Sequence, residues 1–403
     1  MIRALGMMSG TSMDGVDAAV IETDGISIAE FGRSGFRGYS GNESAVLHQA
    51  LGRWPGAPGV AEAAALSVAS HAALAADFPE AEVIGYHGQT LAHDPQGRGT
   101  HQAGSGADLA RLTGRPVIWD FRTEDVRRGG EGAPLAPFFH WACARWAVGQ
   151  GRLPDEPVAF LNLGGVGNIT WVDPRVAQPE GHGACLAFDT GPANAPINDL
   201  MRRRLRQSHD AGGLLAASGT VRPGIVAEFL CHPYFDRPPP KSLDRDQFGQ
   251  LSQAVSSLSD ADAAATLVAA LSGSVGAAMR WLPSRPAAVL VCGGGRHNAT
   301  IMAALAADLP CAVRPVESAG LDGDMLEAQA FAWLAVRVMR GLPTSGPMTT
   351  AAPDPVCGGR ISHPARHRST IEKAAEVFSL GYLTTLRAVR KPPLTPAGER
   401  SGR

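Results

Sequence analysis

The sequence predicts an α/β protein built from two similar halves. Strand-like and helix-like stretches alternate along it. A glycine-punctuated run of three strands opens the chain, and a second such run begins near residue 158. The 403 residues exceed one ordinary core and suit two domains. Hydrophobic residues at 44% and charged residues at 18% are ordinary for a globular chain that buries its own core.

Taken in order, Ile2 to Met8, Val16 to Glu22 and Ile26 to Phe31 read as strands of a meander turned at Gly10, Gly15 and Gly25. An Ala-rich helix is expected at Glu62 to Asp77, then short apolar strands at Val83 to Tyr86 and Pro116 to Phe121. The pattern restarts with strands at Val158 to Leu163, Asn168 to Val172 and Cys185 to Phe188, and a helix at Pro196 to Gln207. An amphipathic helix at Ala261 to Trp281, a buried strand at Ala287 to Cys292, a helix from Asn298 and a long helix at Met325 to Arg340 complete the second half. Residues 341 to 365 are rich in Gly, Pro, Ser and Thr and read as an irregular return segment. Residues 366 to 403 carry a net +5 against −7 for the rest, and read as a basic, disordered tail. The expected division is therefore 1–130 plus 341–365 as one domain and 131–340 as the other.

Composition narrows the function. No apolar run approaches the roughly 20 residues that cross a bilayer. The start, Met1 to Gly6, lacks the apolar core of a secretory signal, so a cytoplasmic location is expected. The six cysteines stand far apart without zinc or dithiol spacing, and are expected to be reduced and structural. A net charge of −2, with Lys only at 241, 373 and 391, leaves no footprint for nucleic acid.

The loop from Gly6 through Gly10, Thr11, Ser12, Met13, Asp14, Gly15 and Val16 to Asp17 is longer and more polar than a hairpin needs. Its glycines allow close approach of a ligand, its hydroxyls and amides suit phosphate oxygens, and Asp14 or Asp17 suits magnesium, directly or through water. A solvated hairpin turn explains it equally well. It is not a Walker loop, because no Gly-Lys-Ser or Gly-Lys-Thr occurs anywhere in the chain. Asp189, with Gly191 beside it, follows a strand and precedes a helix, a placement that aims a carboxylate at an attacking hydroxyl or water and a glycine at a phosphate; a helix cap is the alternative. Asn162, Gly164 and Gly165 form a second glycine turn, either a phosphate contact or a plain hairpin. Gly293, Gly294 and Gly295 suit a base and ribose lying on backbone, or a simple strand-to-helix turn. Asp322, Asp324 and Glu327 gather at a helix start, where the dipole already favours acids. His87, Gln89 and Arg122 follow strands, as binding groups commonly do in alternating folds; His87 is equally at home as a structural histidine.

Together these segments resemble the anhydro-N-acetylmuramic acid kinase family over residues 3 to 365. The pattern appears as GMMSGTSMDGVDAAV at 6–20, GYHGQT at 85–90, DFRTEDVRRGGEGAPLAP at 120–137 and LNLGGVGNIT at 161–170. It continues as FDTGPAN at 188–194, PPKS at 239–242, CGGGRHN at 292–298 and EAQAFAWLA at 327–335. The resemblance implies a two-domain actin-like ATPase (sugar kinase) fold with ATP in the interdomain cleft, magnesium as cofactor, and a homodimer. The implied reaction joins hydrolytic opening of 1,6-anhydro-N-acetylmuramic acid to its phosphorylation. Asp189 matches the family's general base, Glu327 its sugar-site acid, and Gly10 to Asp17 its ATP phosphate loop.

Three departures stand out. Ala193 replaces a usual Gly, Ser105 replaces a usual Asp, and Leu243-Asp244-Arg245-Asp246 replaces a usual Thr-Gly-Arg-Glu. A kinase for another sugar and a non-catalytic nucleotide-binding module remain the rival readings.

Overall fold

The alternation of strands and helices resolves into two sheets with one strand order. The structure, a computed structural model, describes residues 1–10, 12–243 and 248–364. The first sheet contains β1 (Ile2–Ser9), β2 (Gly15–Thr23), β3 (Ile28–Gly38), β4 (Val83–Asp94), β5 (Gly99–Ala103), β6 (Val117–Trp119) and, from the return segment, β12 (Arg360–Ser362). The second contains β7 (Val158–Leu163), β8 (Val166–Val172), β9 (Cys185–Pro192), β10 (Ala288–Cys292) and β11 (Ala312–Pro315). Each opens with an antiparallel three-strand meander, β1-β2-β3 or β7-β8-β9. Two parallel strands then add on the other side of the first strand, β4 and β6 or β10 and β11. The shared order is the physical form of the similarity that the two three-strand starts suggested. It also sets the parallel strands' carboxyl ends as the places where polar loops emerge.

The helix Leu326–Met339 packs on β1, β2 and β4. Two strand glycines permit this: a Cβ on Gly6 would stand 1.7 Å from the Ala328 carbonyl oxygen, and one on Gly85 would stand 2.1 Å from that of Phe331. Strand and helix backbones therefore touch directly. The same core gathers Ile118, Phe121 and Trp333 with Phe160, Val172 and Leu290 of the second sheet. Arg337, fully buried, donates to Glu180 Oε2 (2.7 Å), the Gly25 carbonyl (2.9 Å) and the Pro343 carbonyl.

A second core joins Leu161, Ile169, Phe188 and Val289 to the helix Asp260–Ala278. With its 3-10 continuation to Trp281, this helix is long and apolar enough, by length and composition, to cross a membrane, which corrects the expectation that no segment approaches that length. Most of its apolar surface is packed inside the protein, as in a core helix.

β3 runs to Gly38 rather than ending near Phe31, because Gly15↔Gly38 pairing carries the ladder to the first residue of β2. β4 runs on through His87 and Gln89 to Asp94 by pairing with β5, so those residues lie within a strand rather than after one. The return segment adds β12 alongside β6. The expected tail, 366–403, lies outside the described residues.

Candidate functional site

Residues from both sheets line a cavity of about 380 Å³, among them Asp17, Arg122, His140, Asn162 and Glu327. Glu327 is the second residue of its helix, and the strand glycines bring it against the end of β1 and β2. Its surface opens to the cavity, yet the surrounding protein displaces bulk water and raises its pKa above the usual carboxylate range, with the Arg122 charge opposing. Asp17, paired with Met8 across the β1-β2 ladder, is pushed up to about 7, first by burial and then by the carboxylates of Asp14, Glu327, Asp324 and Asp322. Arg122 donates through Nε to His87 Nε2 (3.0 Å) and through Nη1 to the Gly132 carbonyl (2.8 Å). An Arg nitrogen only donates, so His87 Nε2 is the acceptor and its proton sits on Nδ1, which donates to the Gly88 carbonyl (2.8 Å). Burial and the neighbouring Arg122 hold His87 neutral, well below its ordinary pKa.

An adjoining cavity of about 510 Å³ shares Ala133, Pro134 and Asn168 as walls with the first. Asp189 opens onto it. Strand β9 extends through Asp189 to Pro192 because Asn168 of β8 faces Asp189 in register. Asn168 Nδ2 donates to Asp189 Oδ1 (2.8 Å), and the Leu243 amide donates to Oδ2 (2.8 Å). Burial raises the Asp189 pKa, and these two hydrogen bonds oppose the rise. Backbone bonds fix the segment: the Tyr234 hydroxyl donates to the Asp189 carbonyl (2.6 Å) and the Asp189 amide to the Lys241 carbonyl (3.0 Å). The arrangement is a carboxylate whose two oxygens are oriented, with basicity above that of a free aspartate.

The glycine segments lie at strand ends. In the first loop the Met13 amide donates to the Gly10 carbonyl (3.2 Å) and Ser12 Oγ to Asp14 Oδ1 (2.8 Å). Thr11 lies outside the described residues. Gly15 and Val16 belong to β2 and are buried, where Gly15 leaves room for the Phe36 ring. Gly164 and Gly165 turn β7 into β8, and their carbonyls accept from the amides of Asn194 and Ala193, both at 3.0 Å. Gly293 has φ +71°, and a Cβ there would stand 2.3 Å from Asn162 Oδ1. Its turn leads to Asn298, which caps the helix Ala299–Asp308 by accepting from the Ile301 amide (3.0 Å). Gly294, Asn194, His297 and Asn298 line a third cavity of about 420 Å³, while Gly295 packs on Leu163.

Gln89, expected as a binding group, is fully buried and lines none of these three cavities. Ser9 Oγ donates to its Oε1 (2.6 Å) and its Nε2 donates to the Gly10 carbonyl (3.1 Å), so it braces the first glycine loop. Gly191, expected beside a phosphate, is buried against Ser274. Ala193 has φ −117°, outside the left-handed region that favours glycine. Ser105 caps the helix Gly106–Thr113 by accepting from the Asp108 amide (3.2 Å). Leu243 holds Asp189 through its backbone, so its side-chain identity leaves that bond intact; Asp244, Arg245 and Asp246 lie outside the described residues. Sequence reasoning missed Asn168, Tyr234 and His140. Only the strand pairing of Asn168 opposite Asp189 could have flagged the first.

Asp14 and Asp17 are the carboxylates of the first loop and of the start of β2. Among the described residues no cluster of three or more His, Cys, Asp or Glu groups forms a metal cage. Magnesium suits such a place, since it is commonly held by one or two carboxylates with substrate phosphates.

Comparison with known proteins identifies the family. The family model described as anhydro-N-acetylmuramic acid kinase matches residues 57–364. Anhydro-N-acetylmuramic acid kinase of Cereibacter sphaeroides is 63% identical over 363 residues, covering 90% of this chain and 96% of its own. Anhydro-N-acetylmuramic acid kinase 1 of a Jannaschia species is 58% identical with the same coverage, and the Rhodospirillum rubrum kinase of that name is 49% identical over 89% of this chain and 93% of its own. Among solved structures, xylulose kinase of Rhodospirillum rubrum aligns over 96% of this chain and 99% of its own at 15% identity and a TM-score of 0.43, too low to bear on the assignment. With eight ordered motifs, the family model and the curated relatives in agreement, the chain belongs to the anhydro-N-acetylmuramic acid kinase family.

Proposed function

We propose that the protein opens 1,6-anhydro-N-acetylmuramic acid with water and phosphorylates it from ATP to N-acetylmuramic acid 6-phosphate, in the cytoplasm, as a step of cell-wall recycling. The observation that carries the reading is the placement of Asp189 and Glu327 in adjoining cavities that share Asn168 as a wall. The sugar lies across that wall. Asp189, its oxygens aimed by Asn168 and the Leu243 amide, takes the proton from water attacking C1; a positioned base of this kind typically contributes ~10²- to 10⁴-fold. Its raised pKa makes it a stronger base than free aspartate while leaving it an acceptor above its own titration. The O6 released by bridge opening receives the γ-phosphoryl group.

Glu327 orients the sugar from the other side, with Arg122 and Asn162 as further contacts, and His87 holds Arg122 in place. The first glycine loop, with Gly10 and Ser12, and the Gly164-Gly165 turn face the phosphates. Gly294 borders the cavity that takes the base, and Gly293 lines the cavity that holds Glu327. Magnesium, when bound beside Asp14 and Asp17, supplies charge neutralisation at the phosphates. The two sheets, each with its own helices, are proposed as domains that close on the ligands and exclude bulk water, and the protein as a homodimer.

Purified protein given ATP, magnesium and the anhydro-sugar is expected to yield ADP and the sugar 6-phosphate in equal amounts. ADP release that ignores the sugar, or no release, refutes this reading.

A further inference from the structure

We propose that His140 is a further sugar-binding residue, its Nε2–H donating a hydrogen bond to an oxygen of the sugar in the cavity that holds Glu327. The inference rests on the sugar kinase reading above and adds a contact that the motif pattern did not assign.

His140 lies in the helix Pro137–Gly149, is 5% exposed and lines the cavity with Asp17, Arg122, Asn162 and Glu327. Its ring stacks flat on Phe160 of β7, with centroids 4.5 Å apart and planes 8° from parallel. The plane of the imidazole is thereby fixed. Neither ring nitrogen hydrogen-bonds any group among the described residues, and Nδ1 is sealed from solvent. Buried polar groups are nearly always paired, and an unpaired one costs stability, so an orphaned imidazole at a cavity wall requires an explanation. His71, also buried, pairs one ring nitrogen, with Nδ1 donating to the Ser67 carbonyl at 2.7 Å while Nε2 stays unpaired. His140 has no such bond.

The tautomer follows from the asymmetry. A sealed N–H without an acceptor is costlier than a sealed lone pair, so the proton belongs on Nε2, the nitrogen that remains to face the cavity. Burial alone pushes the His140 pKa down to about 3, so the ring stays a neutral donor throughout pH 5 to 8. A neutral donor suits a sugar hydroxyl, ether or amide oxygen. A phosphate would favour a cation, and none forms here. The flat stack gives the direction of the bond, and ligand binding supplies the partner that folding left out.

The test is His140→Phe, which keeps a flat aromatic on Phe160 and removes both nitrogens, with His140→Gln restoring a donor. In the Phe variant KM for the sugar is expected to rise about tenfold, the scale for one lost hydrogen bond. KM for ATP stays within twofold, and the melting temperature is unchanged or higher, because no protein hydrogen bond is lost. The Gln variant recovers part of the sugar affinity, and calorimetry of sugar binding without ATP gives the same order. A sugar KM within twofold of wild type overturns the proposal, as does a parallel rise in KM for ATP. A melting temperature several degrees lower in both variants also overturns it, since that marks a structural histidine. Wild-type protein without sugar-dependent ADP formation would instead sink the activity reading on which the proposal rests.

Discussion

Gly6 lies so close to Ala328 that a Cβ on the glycine would stand 1.7 Å from the Ala328 carbonyl oxygen. That approach seats the Leu326–Met339 helix on β1 and carries Glu327 to the cavity wall. Gly6→Ala forces strand and helix apart, and backbone cannot yield as a flexible side chain can. The expected cost is about 3 kcal/mol, at the upper end for overpacking, together with a loss of activity larger than the loss of folded protein. Thermal melting and turnover of the folded fraction check both.

Asp17 gives a pH signature. Its folded pKa of about 7 lies above that of an unfolded aspartate, near 3.9, so the folded protein binds this proton more tightly. The stabilisation is fully present below about pH 4 and is lost as pH rises through 7. Asp17→Asn removes the loss, so the variant is expected to melt a few degrees above wild type at pH 8 and level with it at pH 4. Melting curves across that range check the sign, and equal differences at both ends contradict it.

Arg337 ties the β2-β3 turn at Gly25, the return segment at Pro343 and Glu180 to one guanidinium. Arg337→Leu leaves Glu180 and two carbonyls without their donor. A loss of about 3 kcal/mol is expected from denaturant unfolding, in line with breaking a buried pair from one side.

The strands were legible where apolar runs end at glycines: β7 spans Val158–Leu163, as expected, and β10 differs from its expected range by one residue. The helix Pro137–Gly149 was not, because its buried face wraps nearly all round and shows no 3.6-residue stripe. β5 and the latter part of β4 are polar and owe their order to each other, which local pattern cannot reveal. Asp189 and Glu327 stood out by motif. Asn168 became visible only through its register opposite Asp189, and His140 only through the partner it lacks.

The family match ends at residue 364, and residues 1–364 form a compact unit with its own cores. Protein truncated after Pro364 is expected to keep wild-type turnover and melting temperature. Collapse of either would show that the last 39 residues contribute to the fold or the site.

The central claim is that Asp189 activates water. Asp189→Asn keeps the shape and can still accept from one of the two donors, Asn168 or the Leu243 amide, but cannot take a proton. The measurement is sugar-dependent ADP formation by this variant beside its affinity for ATP. Turnover reduced at least ~10²-fold with ATP affinity unchanged is the predicted result, whereas near-normal turnover would contradict the account and assign the proton to another group.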